Sequence, residues 1–142
     1  MKYFEFGQEH SELMVMLHGS GVSYLGMLPT AQKLAERYHV VLVAYDGFNP
    51  DEPETEFVSP MDEAKRLGDH IVEHYGGKID ILYGISYGCR VLMEVLSATR
   101  LTITTTIADG MSLRDYPDIK SKWGKDVYCF FFTGLFYAVM GH

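Results

Sequence analysis

Cysteine is scarce: in 142 residues only Cys89 and Cys129 occur. They are far apart and form no C-x-x-C pair, so they read as reduced core thiols. Basic clusters are absent as well. Lysine and arginine total 12 against 19 acidic residues, a formal net charge of −7. A phosphate backbone would meet mostly repulsion, so no nucleic-acid partner is expected. No histidine stands at zinc-ligand spacing with a cysteine or with two further histidines. His70 and His74 are four apart, but no third ligand accompanies them, and they read as a solvated helix edge. Neither a metal nor an organic cofactor is expected. The most apolar stretch, residues 128–140, falls short of the about 20 residues that span a bilayer. The opening residues, Met1 to Phe6, lack the apolar run of a signal peptide, which points to the cytoplasm.

What remains is the composition of one globular domain, 47% apolar and 22% charged. The pattern alternates strand and helix, which predicts an α/β fold: a mostly parallel sheet with helices on both faces. Lys2 to Phe6 reads as a short leading strand. Leu13 to Leu17 and Val40 to Tyr45 are unbroken apolar runs, as strands buried on both faces require. Between them Met27, Leu28, Ala31, Leu34, Ala35 and Tyr38 recur at helical spacing, with Pro29 tolerable only near the helix start. The acidic, proline-bearing stretch from Asp46 to Ser59 predicts a long surface loop. Ser59 then caps a helix with Pro60 first, Asp62 in the first turn, and Gly76-Gly77 at the end. Its apolar stripe is Met61, Ala64, Leu67, Ile71 and Tyr75. A third core strand, Ile79 to Tyr83, runs into a helix from Tyr87 to Ala98, and Leu101 to Ala108 is the fourth.

Chemistry enters at Gly84-Ile85-Ser86-Tyr87-Gly88, between an apolar strand and a helix. A serine forced into so tight a turn has strained backbone geometry, and bulky residues two positions away would collide with it. Glycines at 84 and 88 remove that collision. The helix start also places the Tyr87 N–H beside the hydroxyl, where it can hold an oxyanion. Upstream, His18-Gly19-Ser20-Gly21 closes the first core strand. A glycine-bearing loop there can bring a second amide, that of Ser20, toward the same point. His18 reads as a loop-shaping residue, not as a base.

With both motifs placed, the chain resembles the α/β-hydrolase family of esterases, lipases and thioesterases over about residues 13 to 110. The resemblance implies that the strands before His18 and Gly84 lie side by side in mid-sheet. It implies Ser86 as nucleophile, with Tyr87 and Ser20 as oxyanion-hole amides. The family's acid and histidine follow the nucleophile along the chain. Here the pattern departs. The only histidine after Ser86 is His142, the last residue, and no role is assigned to it. Asp109, closing the fourth strand, lies where a minority of the family carries the acid; Asp115 and Asp118 are weaker choices. Residues 1–142 are therefore expected to form one incomplete hydrolase domain lacking the C-terminal strands, with residues 111–142 beginning a cap. The fourth strand would be an open edge, a route to homo-oligomers unless Phe130-Phe131-Phe132 covers it.

The expected activity is hydrolysis of carboxylic ester or thioester bonds of a small molecule, through an acyl-enzyme on Ser86. Without its base, binding and oxyanion stabilisation alone would leave about 10³–10⁴-fold over water. A non-catalytic hydrolase-like binding module, or a dimerising fragment, is the alternative. A dinucleotide fold competes more weakly. Gly19-Ser20-Gly21 begins its fingerprint and Asp46 ends the next strand, but Tyr24 stands where the third glycine must be. A P-loop is weaker still: Gly21 and Gly26 have the spacing, but Met27 and Leu28 stand where Lys and Ser/Thr must be.

Overall fold

The structure is a computed structural model that describes residues 1–20, 23–97 and 100–110. Five strands form one sheet: β1 (Lys2–Phe6), β2 (Leu13–Leu17), β3 (His39–Ala44), β4 (Lys78–Ile85) and β5 (Thr102–Asp109). Their spatial order is β1-β3-β2-β4-β5. The last four are mutually parallel, and only β1 runs antiparallel, against β3. The two expected neighbours, β2 and β4, do pair in mid-sheet, with Leu17 opposite Gly84.

Helices cover both faces, as the alternation of strand and helix predicts. On one face α1 (Leu28–Leu34) packs Ala31 with Met14, Met16, Val40 and Leu42. On the other, α2 (Pro60–Tyr75) and α3 (Gly88–Ser97) set Leu67, Ile71, Leu92 and Val95 against Val15, Leu17, Val41 and Val43. Strands sandwiched this way bury every side chain, which is why β2 reads as a continuous apolar run.

The helix ends follow local chemistry. The Ser59 hydroxyl accepts the Asp62 N–H at 3.1 Å, and Gly76 ends α2 in the left-handed region at φ 61°. Two expectations need correction. Helix α1 begins at Leu28 with Pro29 in its first turn, as expected, after a 3-10 turn over Tyr24–Gly26, but it ends already at Leu34. Tyr24 is buried in that turn, stacked on Phe4 at 4.3 Å, and Tyr38 lies past the helix end. Met61 is not part of the α2 stripe: it is 68% exposed, and fully buried Glu63 takes the inward position one turn before Leu67.

Strand β5 is the sheet edge among the described residues, and Thr104 to Ile107 are exposed. No described helix is long and apolar enough to cross a membrane. The expected cap over residues 111–142, with Asp115, Asp118, Cys129, Phe130-Phe131-Phe132 and His142, lies outside the described residues.

Candidate active site

Ser86 is held at the C-terminal end of β4 with φ 52°, the only non-glycine residue with positive φ among those described. The region is costly for a side-chain-bearing residue, so the surroundings must enforce it. Its own N–H donates to the Asp109 carbonyl at 2.7 Å, which ties the elbow to the end of β5. The glycines show why the turn closes. A Cβ on Gly84 would sit 3.0 Å from the Gly88 carbonyl oxygen, and one on Gly88 would sit 2.8 Å from that of His18 and closer still to that of Leu17. The two glycines therefore do different jobs. Gly84 lets α3 fold back over β4, and Gly88 lets the start of α3 press on the end of β2.

That second contact brings the β2 loop to the serine. A Cβ on Gly19 would lie 3.3 Å from the Ser86 Cβ and 3.8 Å from its Oγ. Ser20, next along the chain, is exposed, as is Ser86. His18 is fully buried. Its Nδ1 lies 2.8 Å from the Gly19 carbonyl oxygen, and its Nε2 accepts the Tyr45 N–H at 3.4 Å. These contacts suit a neutral ring with its proton on Nδ1, donated to Gly19. A histidine engaged on both nitrogens shapes the loop. Gly21 lies outside the described residues.

Asp109 arrives beside the elbow from β5. Its carboxylate accepts the Tyr83 hydroxyl at 3.0 Å, and its carbonyl accepts the Ser86 N–H. Burial, and then the neighbouring Asp109 carboxylate, raise the Tyr83 pKa, so its hydroxyl stays a donor. Cys89 lies under the turn, its Sγ donating to the Gly84 carbonyl at 3.1 Å, and burial pushes its thiol up to about 11. A thiol that stays protonated is inert. His39 opens β3, at the end of the sheet opposite Ser86, and His70 and His74 lie in the last turns of α2, where His70 packs on β1, with β3 and β2 between it and β4. His70 is half-buried, stacked on Tyr3 at 3.6 Å, whereas His74, its ring 4.1 Å away, is exposed as a solvated helix edge requires. Among the described residues no three His, Cys, Asp or Glu side chains converge as metal ligands.

Sequence reasoning missed two features. One is an aromatic chain: His18 on Tyr45 at 4.3 Å, Tyr45 near Phe57 at 6.1 Å, and Phe57 near Tyr87 at 5.8 Å. Phe48 and Phe57 lie in the Asp46–Ser59 loop, where no periodicity marks a ring as inward-facing. The other is the corner around Asp46. Its carboxylate pairs with the Met1 amino group and with Arg66, at 2.5 Å in the latter case. Both oxygens of nearby Glu63 are buried with no hydrogen-bond partner, and burial, followed by the Asp46 charge, pushes its carboxyl up to about 7. Asp46 is thus engaged with cations of its own chain, which removes the acid that a dinucleotide site needs. The late start of α1 removes the helix N-terminus that would hold the pyrophosphate.

Comparisons with known proteins agree with this geometry. The sequence profile of the alpha/beta hydrolase family matches residues 14–138. No curated protein matches the chain. An alpha/beta hydrolase family protein from Desulfitobacterium hafniense superposes with a TM-score of 0.72 at 20% identity, over 89% of this chain and 50% of that one. A thermophilic esterase from Thermogutta terrifontis gives 0.66 at 20% identity, over 89% and 44%. MenH from S. aureus gives 0.62 at 21% identity, over 89% and 46%. The chain spans about half the length of these structures, or less. At such identities the superpositions speak to fold alone, while the profile covers most of the sequence: the chain belongs to the alpha/beta hydrolase family.

Proposed function

We propose that this hydrolase-family chain acts on carboxylic ester or thioester bonds of small molecules through an acyl-enzyme on Ser86. One observation carries the reading. An exposed serine is held in the left-handed region where β2, β4 and α3 close on one another at Gly19, Gly84 and Gly88, and no structural need of the sheet explains that cost. The Ser86 Oγ attacks the acyl carbon, and its proton passes to the departing alcohol or thiol. The amides of Tyr87 and Ser20 hold the oxyanion in between. Water then cleaves the acyl-enzyme and frees the acid. Asp109, fixed by Tyr83, is the candidate acid of the triad. The base that relays the proton falls outside the described residues, since His18 is engaged on both nitrogens, His10 and His39 lie at the opposite end of the sheet, and the α2 histidines pack by β1, with β3 and β2 between them and β4.

The alternative, a non-catalytic binding module, draws on that same absence of a described base. A fluorophosphonate probe separates the two. Covalent labelling of the folded chain, abolished by Ser86→Ala, is the expected result. Failure of well-folded protein to take the label would overturn the nucleophile and favour the binding module.

A further inference from the structure

Two phenylalanines of the Asp46–Ser59 stretch are brought together beside the elbow. The loop is fixed by its own polar groups: the Gly47 N–H donates to the Thr55 hydroxyl at 2.9 Å, and Asn49 and Asp51 bond at 3.1 Å. It is also tied outward, to Tyr24 through Asp51 at 2.9 Å and to Lys2 through Glu52 at 2.9 Å. Gly47, at φ 73°, lets the two ends of the loop close, since a Cβ there would lie 2.8 Å from the Phe57 nitrogen. Phe48 and Phe57 consequently meet edge to face, centroids 5.5 Å apart at 87°, and Phe57 meets Tyr87 at 5.8 Å and 65°.

Burial separates these rings from ordinary core. Tyr45 beneath them is fully buried, whereas Phe48, Phe57 and Tyr87 each keep part of their surface in solvent. The series of rings ends at the residue next to an exposed serine. Edge-to-face packing leaves ring faces and edges on which a further ring can settle. Apolar area left wet beside a nucleophile is area that a bound apolar group would cover with gain.

We propose that Phe48, Phe57 and Tyr87 form the surface that receives the acyl group, so that the site favours aryl and bulky apolar acyl groups over acetyl. This rests on Ser86 being the nucleophile, so the test reads surface and nucleophile separately. Labelling of the full chain is timed with phenyl- and methyl-substituted fluorophosphonates. The phenyl probe should react about tenfold faster or more, and Phe57→Ala should bring the two within about twofold by slowing the phenyl probe more than the methyl one. If Phe57→Ala fails to fold, Phe57→Leu keeps most of the volume and still removes the ring. Saturation transfer from protein to the ring protons of phenylacetate then reads the surface alone. It should persist in Ser86→Ala and fall in the Phe57 variant. Equal probe rates, or transfer indifferent to Phe57, would overturn the proposal. Transfer that depends on Phe57 without any labelling would keep the apolar surface and remove the nucleophile.

Discussion

Two places in this domain break ordinary residue preferences, and they break them differently. At the elbow the cost is in the backbone: Ser86 sits at φ 52°, and three glycines give way so that β2, β4 and α3 can meet around it. At the corner of β1, β3 and α2 the cost is in solvation: Glu63 is fully buried with neither oxygen bonded, beside an already charged Asp46. Backbone strain demands particular residues at particular spacings, so it leaves a signature in the chain. Buried charge leaves none, because any residue on the inward face of a helix can be the one that is buried.

The largest effect should come from breaking the elbow. Gly88→Ala places a Cβ against two β2 carbonyls that cannot move without the strand, and about 4 kcal/mol of stability should be lost in denaturant unfolding. Gly76→Ala, where a Cβ meets nothing, should cost only about 1 kcal/mol, for its left-handed φ.

Breaking the corner should give the next largest effect, with the opposite sign. The folded Glu63 carboxyl is raised to about 7 from its ordinary 4.5, so folding favours its protonated form. That stabilisation is whole below the unfolded value and is lost as pH rises through 7. By linkage the wild type should lose on the order of 3 kcal/mol between pH 4.5 and 7.5 from this group. Glu63→Gln should flatten the curve across that window, measured by urea unfolding at several pH values. A slope unchanged by the substitution would mean that Glu63 is solvated after all.

Smaller changes sharpen the comparison. Ser86→Gly should stabilise the fold by about 1 kcal/mol, because glycine accepts positive φ freely, while Ser86→Ala should leave stability nearly unchanged. A gain in the glycine variant alone would show that the cost is in the backbone and not in the hydroxyl. Smallest, Tyr83→Phe frees the Asp109 carboxylate from its donor and should cost about 1 kcal/mol or less. If Asp109 is the acid, Tyr83→Phe should lower hydrolysis more than it lowers stability, which parallel thermal melts and ester turnover would reveal.

The same contrast explains what the sequence alone discloses. The sheet was readable because β2, and β3 after His39, are buried on both faces and therefore apolar. The elbow was readable because Gly84 and Gly88 are required by contacts with α3 and β2. Ser59, Pro60 and Gly76 mark α2 for equally local reasons. The end of α1 was not readable, since Ala35 and Tyr38 continue its apolar spacing past Leu34, and neither was the 3-10 turn that buries Tyr24 on Phe4, a partner distant in the chain. Met61 and Glu63 exchanged their expected places because α2 is rotated on the sheet so that 63, 64, 67 and 71 face inward. No hydropathy pattern would choose a glutamate over a methionine. The rings of the Asp46–Ser59 loop were hidden for a related cause: a loop has no period against which an inward ring can be recognised.

The bond from the Ser86 N–H to the Asp109 carbonyl makes the elbow amide part of the seam between β4 and β5. Among the described residues β5 is a rim strand, an early one to fray, and each opening would release that proton to solvent. Deuterium uptake at Ser86 would then run at the tempo of β5 detaching, faster than at Val15 in mid-sheet β2. The residue positioned for acylation doubles as a clock for the integrity of the rim beside it.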